Sequence, residues 1–157
     1  MGIRYYAYPL APEFVDRAYE EPLAFLAADP LADAWFLSDD ERPEMLYLDK
    51  CWHELQSLTW PDRARPPRPS YRLFEGHVTH VPTGWMPWTR VLDPDEVDEI
   101  ARDLVLVDED DVDRAWDVIA QLPSPGDKDY VVHHLSAAKR FVVRQQRARW
   151  GIVYLIG

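Results

Sequence analysis

Apolar and polar positions alternate from Gly2 to Tyr8: Ile3, Tyr5 and Ala7 fall on one face, Arg4, Tyr6 and Tyr8 on the other. A period of two with aromatics on both sides predicts a strand covered on both faces, ended by Pro9. Pro12 at a first-turn position, with Glu13 beside it, predicts a helix running to about Glu21 with Phe14, Val15 and Ala18 inward. A short helix after Pro22 carries Leu23, Phe25 and Leu26; Asp29-Pro30 breaks it, and Leu31, Ala34 and Trp35 make a further apolar turn. Residues 38–44 read as an acidic surface loop.

The period changes at Leu46. From there to Pro61, Leu48, Trp52, Leu55 and Thr59 form one ladder at helical spacing, and Cys51, Leu55 and Leu58 an adjacent one. This predicts a central helix over 46–61 on which the rest packs, with Asp49 as its N-cap, Lys50, His53, Glu54 and Ser57 on its polar side, and Pro61 as its end. The next stretch, PDRARPPRPS, favours polyproline II. Strands are expected over 71–75 and 77–81 around Gly76, then a loop over 83–89 holding Trp85 and Trp88, then a short extended piece at Arg90 to Leu92. Asp93-Pro94-Asp95-Glu96 is a capping box with Pro at the first helical position. Val97, Ile100, Ala101 and Leu104 give that helix its buried face. A helix from Asp108 turns Val112, Trp116 and Ile119 inward, and a long one over 129–149 buries Val131, Leu135, Ala138, Phe141 and Val142. Gly151 stops it, and a strand ends the chain over 152–156. The expected architecture is α+β: one domain over all 157 residues, with a small mixed or antiparallel sheet including both terminal strands against several helices, and the Pro-rich loop internal to it.

Charge changes the picture of partners. The net charge is −11, which argues against general nucleic-acid or anionic-membrane binding. From Asp93 to Asp117 twelve acids stand against Arg102 and Arg114, while Lys139 to Arg149 holds five bases and no acid. Two oppositely charged helical faces are expected near each other, the acidic one a docking surface for a basic protein partner or simply a solvated face. The single cysteine, Cys51, permits no internal disulfide and suits a reducing compartment. No signal-peptide pattern or membrane-length apolar run is present, so a cytoplasmic location is expected. Fourteen Arg against three Lys, with abundant Ala, Asp and Pro, suggests a GC-rich bacterial source.

The opening MGIRYYAYPLAPEF, the stretch LDKCWHEL, the segment RVLDPDEVDEIARDL and a last helix running into GIVYLIG follow one another in a familiar order. In these the chain resembles the YfbM-like family, the bacterial domain of unknown function 1877. The resemblance implies a single α+β domain and no established activity. The chain departs from that pattern at GWMPWTRVL, where two tryptophans replace a Gly-rich approach to the capped helix.

Assembled chemistry is sparse. The chain has no Gly-rich phosphate loop with Lys, no GxSxG and no CxxC, and His53-Glu54 lacks the second histidine of a zinc-protease motif because the position is Ser57. Cys51 and His53 point in different directions on a helix, so Cys51 reads as core. His77 and His80 fall on opposite faces of a strand; His133 and His134 would need a fold contact to join them, so neither metal nor cofactor is expected. Two constellations remain. Asp49 and His53, four apart, can meet as a carboxylate orienting an imidazole, or Asp49 merely caps the helix. Trp85, Trp88 and Arg90 can line a pocket with Trp52 and Tyr5 for a planar or anionic ligand, or the tryptophans are core. Arg63, Pro66 and Pro69 have the spacing of a Pro-rich recognition motif and read as loop. The functional expectation is a non-catalytic binding or interaction protein, in its specific form an acidic, immunity-type antagonist of a basic partner; the alternative is a small-molecule-binding protein or enzyme with its site at Asp49, Trp52, His53, Trp85, Trp88 and Arg90.

Overall fold

The computed structural model describes residues 2–157. A four-stranded antiparallel sheet in the order β2-β1-β6-β5 forms its middle, with the N- and C-terminal strands central. Strand β1 (Tyr5–Leu10) leads through a 3₁₀ turn (Pro12–Phe14) into α1 (Val15–Glu20), a second 3₁₀ turn (Pro22–Phe25) and α2 (Pro30–Trp35). Strand β2 (Leu46–Asp49) and α3 (Trp52–Thr59) follow, then a third 3₁₀ turn (Pro69–Leu73), the hairpin β3 (Thr79–Val81) and β4 (Gly84–Met86), and β5 (Trp88–Leu92). The chain finishes with α4 (Pro94–Leu104), α5 (Glu109–Ile119), α6 (Lys128–Ala148) and β6 (Gly151–Ile156). This is the expected α+β class.

Alternation along the strands sorts the interior into two layers. Tyr5, Ala7, Leu46, Leu48, Leu92, Ile152, Tyr154 and Ile156 face α3 to α6, in the larger core. Tyr6, Tyr8, Leu10, Val91 and Val153 face the other way, under the segment from α1 to α2. The rings of Tyr5 and Tyr154 stack at 5.1 Å. Tyr5 donates to Leu73 O (2.8 Å) and the Tyr154 hydroxyl reaches Glu75 O (2.6 Å), which ties the third 3₁₀ turn to the sheet.

The central 46–61 segment is not one helix. Leu48 fits a period of two with Leu46 as well as a helical spacing with Trp52, and β1 takes both leucines as a strand. Asp49 then turns the chain at φ 48°, a left-handed position that Asp tolerates, and α3 begins three residues later. Asp49 is therefore not a cap: Cys51 holds that position with no side-chain bond. The predicted core residues are nonetheless buried, Leu48, Cys51, Trp52, Leu55, Leu58 and Thr59 among them. Glu54 and Ser57, expected on a polar face, are buried too; Glu54 accepts the Gly126 amide at 2.9 Å.

Other boundaries shift for local reasons. Pro9 does not end β1. Arg4 and Gly157 exchange amide bonds at 3.0 and 2.9 Å, so even-numbered residues of β1 bond β6, and the Pro9 nitrogen faces the side where β2 pairing has stopped at Ala7. Residues 71–75 are not a strand, since their carbonyls go to the tyrosines above. The 83–89 stretch is the end of a hairpin and the start of β5 rather than a loop. Gly76, at φ 140°, leaves room for Trp88, whose ring lies 2.3 Å from where a Cβ would be. Phe14 and Leu23, expected inward, are exposed. The capping boxes at Asp93 and Asp108 form, the first as predicted.

The helices of the two charged faces lie near each other as expected, but their charges do not pair. Helices α4 and α6 pack together, but the acids of α4 are met by arginines from elsewhere: Asp103 by Arg68, Glu99 by Arg72, and Glu96 by Arg72 and Arg90. Helix α6 meets the acidic face through Gln146 Nε2, which donates to Asp98 at 2.8 Å, and through Lys128 at its start, which pairs with Asp113 at 2.5 Å; the bases from Lys139 to Arg149 pair with none of these acids among the described residues.

Candidate functional site

A concavity of about 760 Å³ lies between β2 and α6. Strand β2 is an edge of the sheet, and residues of both its faces line the cleft. His133, Ala137, Arg140 and Arg144 form one stripe of α6 at helical spacing, which makes the opposite wall. Trp35 and the segment around Arg42 close the third side.

Asp49 is the hub of this wall. Its carboxylate accepts Arg4 Nε (3.0 Å) and the hydroxyls of Tyr47 (3.1 Å) and Tyr130 (3.2 Å). Trp35 Nε1 donates to the Tyr47 hydroxyl at 3.0 Å, and the Arg4 guanidinium lies over the Trp35 ring at 5.4 Å. Burial, reinforced by the Asp49 charge, raises the Tyr130 hydroxyl far above its ordinary value of 10, so it stays protonated and a donor. The three segments Arg4, Tyr47–Asp49 and Tyr130 are thereby fastened to each other.

His134 lies beside this hub, its ring edge-on to Tyr130 at 4.6 Å and to His133 at 5.2 Å. It is 8 % exposed, and its Nδ1 is buried without a hydrogen-bond partner. Burial, with the neighbouring His133 acting in the same sense, pushes its pKa from the ordinary 6.5 down to about 4. The imidazole is neutral at pH 7. A buried polar atom without a partner is uncommon in a native interior and costs stability unless something else completes it.

The cleft is also uneven in charge. Arg144 pairs with Glu44 (3.3 Å), Arg42 approaches Asp39 (3.9 Å), and Arg4 holds Asp49. Arg140, exposed on the same wall, has no acidic partner among the described residues. The chemistry on offer is recognition of a negative or hydrogen-bonding group next to an aromatic surface. The arrangement holds no activated nucleophile. Cys51 is fully buried, and burial raises its thiol well above the ordinary 9.

The six residues singled out in the sequence are not brought together. Asp49 lines this cleft and bonds Arg4, Tyr47 and Tyr130 rather than His53. Trp52 is buried, with Nε1 toward Ile3 O (3.4 Å), and the exposed His53 stacks on it in a separate hollow of about 220 Å³. Trp85 is 40 % exposed on the hairpin. Trp88 packs against His77 and over Gly76. Arg90 is ion-paired with Glu75 and Glu96 beside a third hollow of about 330 Å³. Tyr5 is core. The residues missed were Tyr47, Tyr130, His134 and Arg140. Their one sequence signal was the adjacent pair His133-His134 on an otherwise regular helix; their meeting depends on β2 lying beside α6.

No helix among the described residues is long and apolar enough to cross a membrane, and no group of three or more His, Cys, Asp or Glu there is placed to hold a metal ion. No family model matches the chain, and no curated protein matches it either. Among solved structures it is similar to the crystal structure of YfbM from Escherichia coli, a protein of unknown function, with a TM-score of 0.56 and 14 % identity over 99 % of this chain and 100 % of that one. At that identity the likeness is one of architecture: the chain has a YfbM-like fold.

Proposed function

We propose that the chain is a non-catalytic bacterial binding protein of the YfbM-like family, domain of unknown function 1877, acting in the cytoplasm, and that the cleft between β2 and α6 holds its ligand. The observation that carries this is His134, buried with an unpartnered Nδ1 in that cleft, whose α6 wall also carries Arg140, an arginine without an acidic partner among the described residues. Fold and cleft together suit capture of an anionic group by Arg140 with His134 completing its polar contacts. The test is a thermal-shift screen with anionic metabolites and acidic peptides. A true ligand at a hundredfold Kd adds about 2.7 kcal/mol, or several degrees in Tm for a chain of this size. Arg140→Glu should abolish the shift while folding normally. Ligands that stabilise wild type and Arg140→Glu equally would refute the cleft.

A second reading keeps the acidic face as a dock for a basic protein, as an antagonist would use. It is favoured by Leu106, 69 % exposed between α4 and α5, and by Glu109, Asp110 and Asp117 of α5, which have no basic partner among the described residues. Half of the acids from Asp93 to Asp117 are paired within the chain; of the others, Asp93 and Asp95 stand at the start of α4 and the remaining four on α5 and its N-cap, so the face available to a partner lies mainly on α5. A basic partner should lose binding with salt and with Asp110→Lys/Asp117→Lys; insensitivity to both would exclude this face.

A further inference from the structure

Resting on the cleft reading above, we infer that the ligand is an extended, acidic peptide segment that adds to the free edge of β2 and lays its acidic side chains on α6. Strand β2 pairs with β1 on one side only. The amide exchange between Arg4 and Gly157 sets the alternation along β1 and directs the backbone groups of Tyr6 at β6. Tyr47, opposite Tyr6, therefore turns its own N–H and C=O away from β1, to the edge that opens on the cleft. An unpaired edge is the template for strand addition; this one is four residues long without Pro or Lys, and the irregularity in its pairing with β1, between Tyr5 and Tyr6, lies on its inner side.

The walls decide what fits there. Helix α6 stands on one side of that edge and the segment from Trp35 to Glu44 on the other, so an added segment runs between two walls of this chain. The α6 stripe from His133 to Arg144 rises roughly 16 Å, the span of about five extended residues. Side chains of an added strand alternate between two faces. Those on the Leu46 and Leu48 face meet α6, where Arg140 lacks an acidic partner and His134 Nδ1 lacks any. Those on the Tyr47 face meet Met45 and Trp35, an apolar and aromatic surface. The predicted segment alternates Glu or Asp with Val, Ile or an aromatic residue.

The probe is a fluorescein-labelled peptide of about six residues alternating Glu and Val, titrated into the whole chain and followed by anisotropy. Its backbone analogue carries N-methyl groups on alternate amides, which removes edge pairing and keeps the charge. Saturable binding is expected, weakened about tenfold or more by Arg140→Glu and by replacing Glu with Lys in the peptide, and lost in the N-methylated analogue that blocks the amides facing Tyr47. His134→Gln, which keeps a polar side chain, should weaken binding less than Arg140→Glu. Equal binding of peptide and N-methylated analogue overturns strand addition and leaves the cleft reading standing. Failure of the peptide to saturate by about 1 mM, while a small anion shifts wild type but not Arg140→Glu, overturns the peptide and again leaves the cleft. Binding untouched by Arg140→Glu overturns both.

Discussion

The unpartnered histidine makes a sharp prediction about acid stability. In the folded chain the His134 pKa is about 4, against an ordinary 6.5. Its folded value is depressed, so between those two pH values the unfolded chain binds a proton there that the folded chain does not. Stability therefore falls as pH drops from 6.5 toward 4. The gap of about 2.5 pH units corresponds to a limit of about 3.4 kcal/mol, with about 2 kcal/mol already lost at pH 5. His133 and Asp49 face the group, the first lowering the pKa and the second raising it, and both are included in that value. His134→Gln has no proton to take up. Urea unfolding of wild type and variant at pH 7.5 and pH 5 gives the comparison directly. The difference between the two proteins should shift by about 2 kcal/mol in favour of the variant on going to pH 5. The other ionisable side chains are common to both proteins, so the comparison isolates His134. A shift below about 0.5 kcal/mol would mean that the imidazole is hydrated in solution, and the reasoning about a free buried nitrogen would fail with it.

Removing the Asp49 carboxylate by Asp49→Ala leaves Arg4 and two tyrosine hydroxyls without their acceptor; with the site partly solvated the expected cost is about 2–4 kcal/mol, checked by chemical denaturation, and Asp49→Asn should cost less because it keeps an acceptor and tolerates φ 48°. Leu55 is fully buried at the centre of α3, so Leu55→Ala should cost about 2–5 kcal/mol by the same assay. Arg68 bonds the Asp103 carboxylate at 3.0 Å, and Asp103 also accepts the Ser70 amide at 3.0 Å; Arg68→Ala should free the Pro-rich 61–68 loop and speed limited proteolysis there, with a stability loss of about 1–2 kcal/mol. Gly76→Ala would drive a methyl group into the Trp88 ring at a position of φ 140°, and should lower stability by about 1–3 kcal/mol with a change in tryptophan fluorescence.

Much of the fold was legible in local signals. The capping box at Asp93, the apolar stripes of α4, α5 and α6, and both terminal strands declare themselves within a few residues of sequence. The errors lie where two periods fit the same residues or where a tertiary bond overrides a propensity. Leu48 obeys both a strand pattern with Leu46 and a helix pattern with Trp52, and only pairing with β1 decides. The 3₁₀ turn at Pro69–Leu73 is kept by carbonyl bonds to tyrosines some seventy to eighty residues away, which no local pattern records. The candidate site was the least legible. Asp49 was picked out for a bond to His53 and instead joins Arg4 and Tyr130, partners 45 and 81 positions distant. It lines the cleft but bonds other partners, because it ends strand β2 at φ 48° and shares no helix with His53.

The central claim is that the groove between β2 and α6 is where the protein binds. Amide chemical-shift mapping with the alternating Glu-Val peptide tests it most directly. The account predicts perturbations confined to Met45–Asp49 and to the His133–Arg144 stripe, with the Tyr47 amide moving most and gaining protection from exchange. Perturbations clustered on α4 and α5, or spread without the Tyr47 amide, would contradict it.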